Sequence, residues 1–222
     1  MAFLLLKLFK QSRDIMQILV IGASGRVGHK LAEKLLADGH QVVGTTRKEE
    51  KLFDSSDYTQ IKLDLTASLT EIEAGIPEGT DAIYFVSGSR GADVLKVDLH
   101  GAVKTMQAAE NKGINRYIML SALYSLEPEK WTTIIDYFTG KYFADHWLVN
   151  NTDLDYTILQ PGALTETDGS GKITTDFDEK GKVSIENVAE SLKEVLGKSN
   201  TYGKLIPMID GDTPIVEAIN QV

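Results

Sequence analysis

The chain has 222 residues, 42% hydrophobic and 25% charged, which is enough apolar sequence to close a core and excludes wholesale disorder. It has no cysteine, so a disulfide framework, a Cys-based zinc site, an iron–sulfur cluster and a thiol nucleophile are excluded. The net charge of −9, with Lys and Arg scattered rather than gathered, argues against a nucleic-acid partner.

The lack of cysteine suits a reducing cytoplasm, which is the expected location. His29, His40, His100 and His146 lie too far apart in sequence to suggest a metal centre. Residues 1–16 open with an apolar run broken by Lys7 and Lys10, too short to span a bilayer and without a cleavage site. They read as an alternative start before Met16, as a helix packing on the domain or a partner, or as a membrane-surface anchor. The expected organisation is an N-terminal extension over 1–15 and a single domain over 16–222.

From there, short apolar runs alternate with amphipathic stretches. A strand is expected over 17–21, a helix over 26–38 stopped by Gly39, and a second strand over 41–46. Strands follow over 59–63 and 81–86, then one long helix over 94–111 capped by Gly113. A fifth strand covers 116–120, a helix 131–150, and a sixth strand 155–160, closed by Pro161-Gly162. Residues 165–181 are polar and glycine-rich, and read as a loop or small hairpin over the sheet edge. A helix over 186–197, a strand over 204–209 and a helix over 214–220 complete the chain. Such alternation predicts an α/β fold, a doubly wound parallel sheet with helices on both faces in three layers.

Gly22-Ala23-Ser24-Gly25-Arg26-Val27-Gly28 joins the first strand to the first helix. One glycine permits the tight turn, a second lets a pyrophosphate approach the backbone, and a third lets helix pack on strand. The helix N-terminus offers free N–H groups and partial positive charge to the phosphates. After the second strand the chain reads Thr45-Thr46-Arg47-Lys48, with no acid before Glu49 to accept from a ribose hydroxyl. A guanidinium at Arg47, helped by Arg26, suits a 2′-phosphate, so NADP is expected ahead of NAD. Asp64, followed by Leu65, is placed to accept from the adenine amino group or to serve as a turn residue. Ser87 and Gly88 follow the fourth strand and leave room at the crevice for ribose and nicotinamide.

These stretches carry a resemblance. ILVIGASGRVG (18–28), VVGTTR (42–47), VDLHGAVKTMQAAENKGINRYIMLSA (97–122), LDYTILQPGALTE (154–166) and SIENVAESL (184–192) resemble the atypical, extended-type short-chain dehydrogenases, in the group near the NmrA-like proteins and the flavin and biliverdin reductases. The resemblance implies a Rossmann-type fold with a small C-terminal substrate region, its loops mainly over 163–183. It implies an NAD(P)-dependent oxidoreductase acting on a small carbonyl, quinone or flavin, with a non-catalytic NADP(H) redox sensor as the alternative. A sugar-nucleotide epimerase or dehydratase shares the fold but usually carries a larger C-terminal domain.

Tyr137 and Lys141 are four apart on a predicted helix, so phenol and ammonium share a face. A phenol is a weak acid at neutral pH, and an ammonium beside it stabilises the phenolate. In the family this pair passes a proton to or from the substrate oxygen while the lysine holds the nicotinamide ribose. A serine just after strand five polarises the carbonyl; here Ser121 is the candidate, with Ser125 four residues on, while the usual places hold Ala122 and Leu123. Pro161 should end strand six and Gly162 allow close approach beside the nicotinamide. Asn187 reads as a helix cap. The expected partner is a small-molecule substrate, with no nucleic acid and no transmembrane segment; a homodimer through a helical face is compatible with the sequence.

Overall fold

The computed structural model describes residues 15–178 and 180–222; the expectations for the N-terminal extension lie outside them, Ile15 apart. The first strand, β1 (Gln17–Ile21), is fully apolar within and buried on both faces. Gly22 ends it, and α1 (Arg26–Ala37) follows with its apolar residues Val27, Leu31 and Leu35 one helical turn apart. Next come β2 (Gln41–Thr45), β3 (Tyr58–Ile61), α2 (Leu69–Gly75) and β4 (Ala82–Phe85). The second half holds α3 (Ala102–Asn111), β5 (Arg116–Leu120), α4 (Ile135–Asn150) and β6 (Asp155–Pro161). Short strands β7 (Ala163–Thr165), β8 (Lys172–Thr174) and β9 (Lys182–Ser184) precede α5 (Ile185–Glu194), β10 (Lys204–Asp210), β11 (Thr213–Pro214) and α6 (Ile215–Asn220).

The main sheet runs β3-β2-β1-β4-β5-β6-β10-β8-β11. Its first seven strands pair in parallel, and β8 and β11 close the edge antiparallel. The chain steps outward from β1 through β2 and β3, then returns to place β4 on the other side of β1. That reversal opens a crevice at the C-terminal ends of β1 and β4. Alternate residues of β1 serve opposite layers: Ile18 and Val20 pack with α1, α5 and α6, and Leu19 and Ile21 with α2, α3 and α4. The result is the doubly wound, three-layer Rossmann-type fold expected.

The departures have local causes. α2 has no counterpart among the expected elements; a capping box marks its start, Ser68 accepting from Glu71 N while Glu71 accepts from Ser68 N. The long helix expected over 94–111 is two pieces, because Val94–Gly101 winds as a π-helix before α3 begins. Gly101 passes Leu65 so closely that a Cβ there would stand 3.0 Å from the Leu65 Cβ. α4 starts at Ile135 rather than 131, because the Trp131 indole N–H donates to the Tyr124 carbonyl (2.8 Å) and keeps the preceding loop out of the helix. In place of a loop or hairpin, residues 163–184 form a parallel β7–β9 pair and lend β8 to the main sheet, in strands too short to show a period. β6 runs through Pro161, which still pairs with Met208 of β10. Ser184, not Asn187, caps α5; the Asn187 side chain instead accepts from Gly171 N and donates to Asp210 and the Lys172 carbonyl.

Candidate functional site

The glycine turn is built as a cradle. Gly22 is left-handed (φ +98), and a Cβ on it would lie 2.8 Å from the Ser87 backbone. A Cβ on Gly28 would lie 2.2 Å from the Gly22 carbonyl oxygen, so helix and strand meet there only because the side chain is absent. Gly25 is the N-cap of α1, no side chain among the described residues caps that end, and its first turn carries no acid. The N–H groups and partial charge of the helix start are therefore open to an anion, which fits a dinucleotide pyrophosphate. Gly28→Ala is expected to cost about 1–3 kcal/mol of stability by overpacking and to weaken dinucleotide binding at least tenfold; thermal unfolding and a fluorescence titration measure the two.

A cavity of about 770 Å³ opens beside this turn along the C-terminal edge of the sheet. From the first half it takes Gly25, Arg26, Val27, Ser87 and Gly88. From the second it takes Ser121, Tyr137, Lys141, Pro161 and Gly162. Ten of the residues singled out from the sequence thus meet in one place. Gly22, Ser24, Gly28, Arg47, Asp64 and Leu65 do not line it. Gly22 and Gly28 shape the turn from behind. Arg47 is exposed just past β2. Asp64 Oδ1 accepts from the Thr66 hydroxyl (2.7 Å) and N–H (2.8 Å), a turn contact that holds its carboxyl below the usual range.

Two further residues have partners that the sequence did not suggest. The Arg26 guanidinium donates to Glu166 at 2.8 Å; both side chains are exposed, so the pair is weak and readily released. Gly162 does permit a close approach, but to the Gly181 carbonyl, 2.3 Å from where a Cβ would stand.

The candidate catalytic groups are held firmly. Lys141 is buried on α4, and its ammonium donates to the Leu120 carbonyl at 3.0 Å. It stands 5.9 Å from the centre of the half-buried Tyr137 ring. Trp131 stacks on Phe138 at 5.6 Å and walls the same space. Arg90, Tyr124 and Ile134 are the non-glycine residues with left-handed backbone among those described, and all three line this cavity. Strain of this kind gathers where a site must be shaped.

Two carboxylates at the site carry no motif. Asp98, on the π-helical segment, lines the cavity, is 1% exposed, and accepts from Ser89 N at 2.9 Å. Its signal is the π-helical winding itself, invisible in sequence. Asp145 is wholly buried on α4 and accepts from both Ser121 and Ser125 at 2.5 Å. Burial pushes its carboxyl from 3.8 up to about 6, against the pull of the two serines and Lys141. The folded chain thus holds this proton more tightly than the unfolded chain, so the group opposes folding as pH rises from about 4 to about 6.

The profile of a family described as NAD(P)H-binding matches residues 22–199. A Bacillus subtilis (strain 168) protein named uncharacterized sugar epimerase YhfK is 35% identical over 217 residues, covering 93% of this chain and all of that one. The crystal structure of the oxidoreductase ylbE from Lactococcus lactis superposes with a TM-score of 0.89 at 40% identity, covering 93% of this chain and 96% of that one. A short-chain dehydrogenase/reductase from Veillonella parvula DSM 2008 in complex with NADP has a TM-score of 0.70 at 20% identity, covering 90% and 96%, a likeness of fold alone. Among the described residues no helix is long and apolar enough to cross a membrane.

Proposed function

Because the chain belongs to the NAD(P)H-binding family, we propose that it is a reductase that prefers NADPH and serves a small carbonyl, quinone or flavin acceptor. One observation carries this reading: the glycine turn and the Tyr137–Lys141 pair open into the same cavity. The bound cofactor would supply the hydride. The start of α1 binds the pyrophosphate through its N–H groups. Lys141, fixed on the Leu120 carbonyl, orients the nicotinamide ribose. Tyr137 gives the proton to the oxygen of a carbonyl or quinone acceptor, or to a ring nitrogen of a flavin, and Trp131 and Phe138 keep water from that side.

Cofactor choice rests on Arg47. The first acid after β2, Glu49, follows Arg47 by two residues and is engaged in an exposed, weak pair with Lys62. Among the described residues, the chain after Pro161 closes the sheet with β8, β10 and β11 and covers it with α5 and α6.

The test follows NADPH and NADH consumption with quinones, flavins and aldehydes. The protein should bind NADPH and turn over at least one acceptor class. Arg47→Ala should lower the preference for NADPH over NADH about tenfold, the loss of roughly 1.4 kcal/mol of guanidinium–phosphate contact. Binding with no turnover across all three classes would favour a redox sensor instead, and absence of binding would reject both.

A further inference from the structure

One turn beyond Lys141, Asp145 takes two hydroxyl protons on one oxygen: Ser121 Oγ and Ser125 Oγ each stand 2.5 Å from its Oδ2. Gln160 Nε2 donates to Ser125 Oγ at 2.8 Å, so Ser125 accepts from Gln160 and gives its own proton to Asp145. Ser121 Oγ meets the same oxygen, and while Asp145 is a carboxylate, which only accepts, Ser121 donates its proton there too. A hydroxyl has one proton and two lone pairs, and the proton of Ser121 points away from the cavity that this residue lines. Asp145 Oδ1 is buried without a hydrogen-bond partner among the described residues.

We propose that Asp145 is the positioning residue for Ser121: as a carboxylate it draws the Ser121 proton inward, so that Ser121 presents an acceptor to the cavity, and as a neutral acid it returns a donor. The proposal rests on the reductase reading only for its kinetic consequences. At neutral pH Tyr137 alone then donates to the acceptor oxygen, and Ser121 favours acceptors with an N–H or O–H beside the reducible atom. In mild acid a plain aldehyde gains a second donor.

On its own helix Asp145 lies in sequence between Tyr142 and His146. Lys141, on the same helix, is the charged group that acts on it. Neighbouring elements carry Asp98, occupied by Ser89 N, and His100 on the π-helical segment, and Lys104 of α3, which donates to the Ala67 carbonyl. At the start of β5, Arg116 is bound to backbone carbonyls past α5, and Tyr117 pairs with Thr105. On β6, Asp155 and the partly buried Tyr156 stand at the strand start. Burial places the Asp145 titration near pH 6.

Infrared titration of the intact protein follows the carboxylic-acid C=O band. The band should grow as pH falls through about 6 and be missing in Asp145→Asn. Ser121→Ala and Ser125→Ala should each move it to higher pH by about half a unit or more, since each serine stabilises the carboxylate. With an aldehyde and saturating NADPH, kcat/KM should rise several-fold across the same range. Ser125→Ala should shift that rise upward with the band, Asp145→Asn should flatten it, and Ser121→Ala should abolish it. A missing band, or one that Ser121→Ala leaves in place, overturns the proposal. So does an Asp145→Asn profile that is lower but unchanged in shape, the mark of a merely structural role. If the band behaves as expected and no acceptor is turned over, the Asp145–Ser121 coupling stands and the reductase reading falls.

Discussion

Tyr137→Phe is expected to lower kcat by about 10²- to 10⁴-fold, the range of a lost general acid, with NADPH affinity unchanged within about twofold. That is roughly 3–5 kcal/mol of transition-state stabilisation. The substitution removes one oxygen and keeps the ring that lies edge-on to Phe138 at 5.6 Å. Lys141 stays in place, because its ammonium is anchored on the Leu120 carbonyl rather than on the phenol. Binding and chemistry should therefore separate cleanly. Single-turnover NADPH oxidation beside a fluorescence titration of NADPH reads both, and an unchanged kcat would remove Tyr137 from the chemistry.

Arg116→Ala is expected to be the most damaging change away from the site. Arg116 is 5% exposed at the start of β5, and the Asp155 carboxylate acts on it through charge while its hydrogen bonds go elsewhere. Its guanidinium donates to the carbonyls of Asp155 (2.7 Å), Val195 (2.6 Å) and Leu196 (3.0 Å) and to the Thr157 hydroxyl (2.8 Å), and it lies over the Tyr202 ring. Val195 caps the C-terminus of α5, where the helix dipole is negative. Alanine strands several buried acceptors at about 1–3 kcal/mol each, so a loss of roughly 3–5 kcal/mol is expected, lowering Tm by about 6–20 °C. Arg116→Lys should recover only part of this, since one ammonium cannot reach all these oxygens from one point. Thermal unfolding measures it. A shift under about 2 °C would show that water replaces the guanidinium at little cost.

The two ends of β5 show how far the sequence could be read. Its apolar run and the turn at Gly113 made the strand legible, because a parallel strand buried on both faces needs uninterrupted apolar residues. The burial of Arg116 was not legible, because its partners come from β6, the end of α5 and the 3₁₀ turn at Ser199–Thr201, up to 85 residues away. The same division runs through the site. Gly22, Gly25 and Gly28 span the one turn from the first strand into the first helix, so their spacing together with that position finds them. Tyr137 and Lys141 share one helix and obey its period. Asp145 lies on that helix too, but its role depends on hydroxyls that follow β5, which no local pattern encodes. α2 was open to recognition through Ser68 and Glu71, but seven residues give too little periodicity to draw the eye.

A crystal structure with NADP⁺ tests the central claim most directly. The pyrophosphate is expected on the backbone N–H groups at the start of α1, the 2′-phosphate at Arg47, and the nicotinamide in the cavity between Pro161 and the Tyr137–Lys141 pair. A dinucleotide bound with its nicotinamide outside that cavity, or away from the glycine turn, would contradict the account.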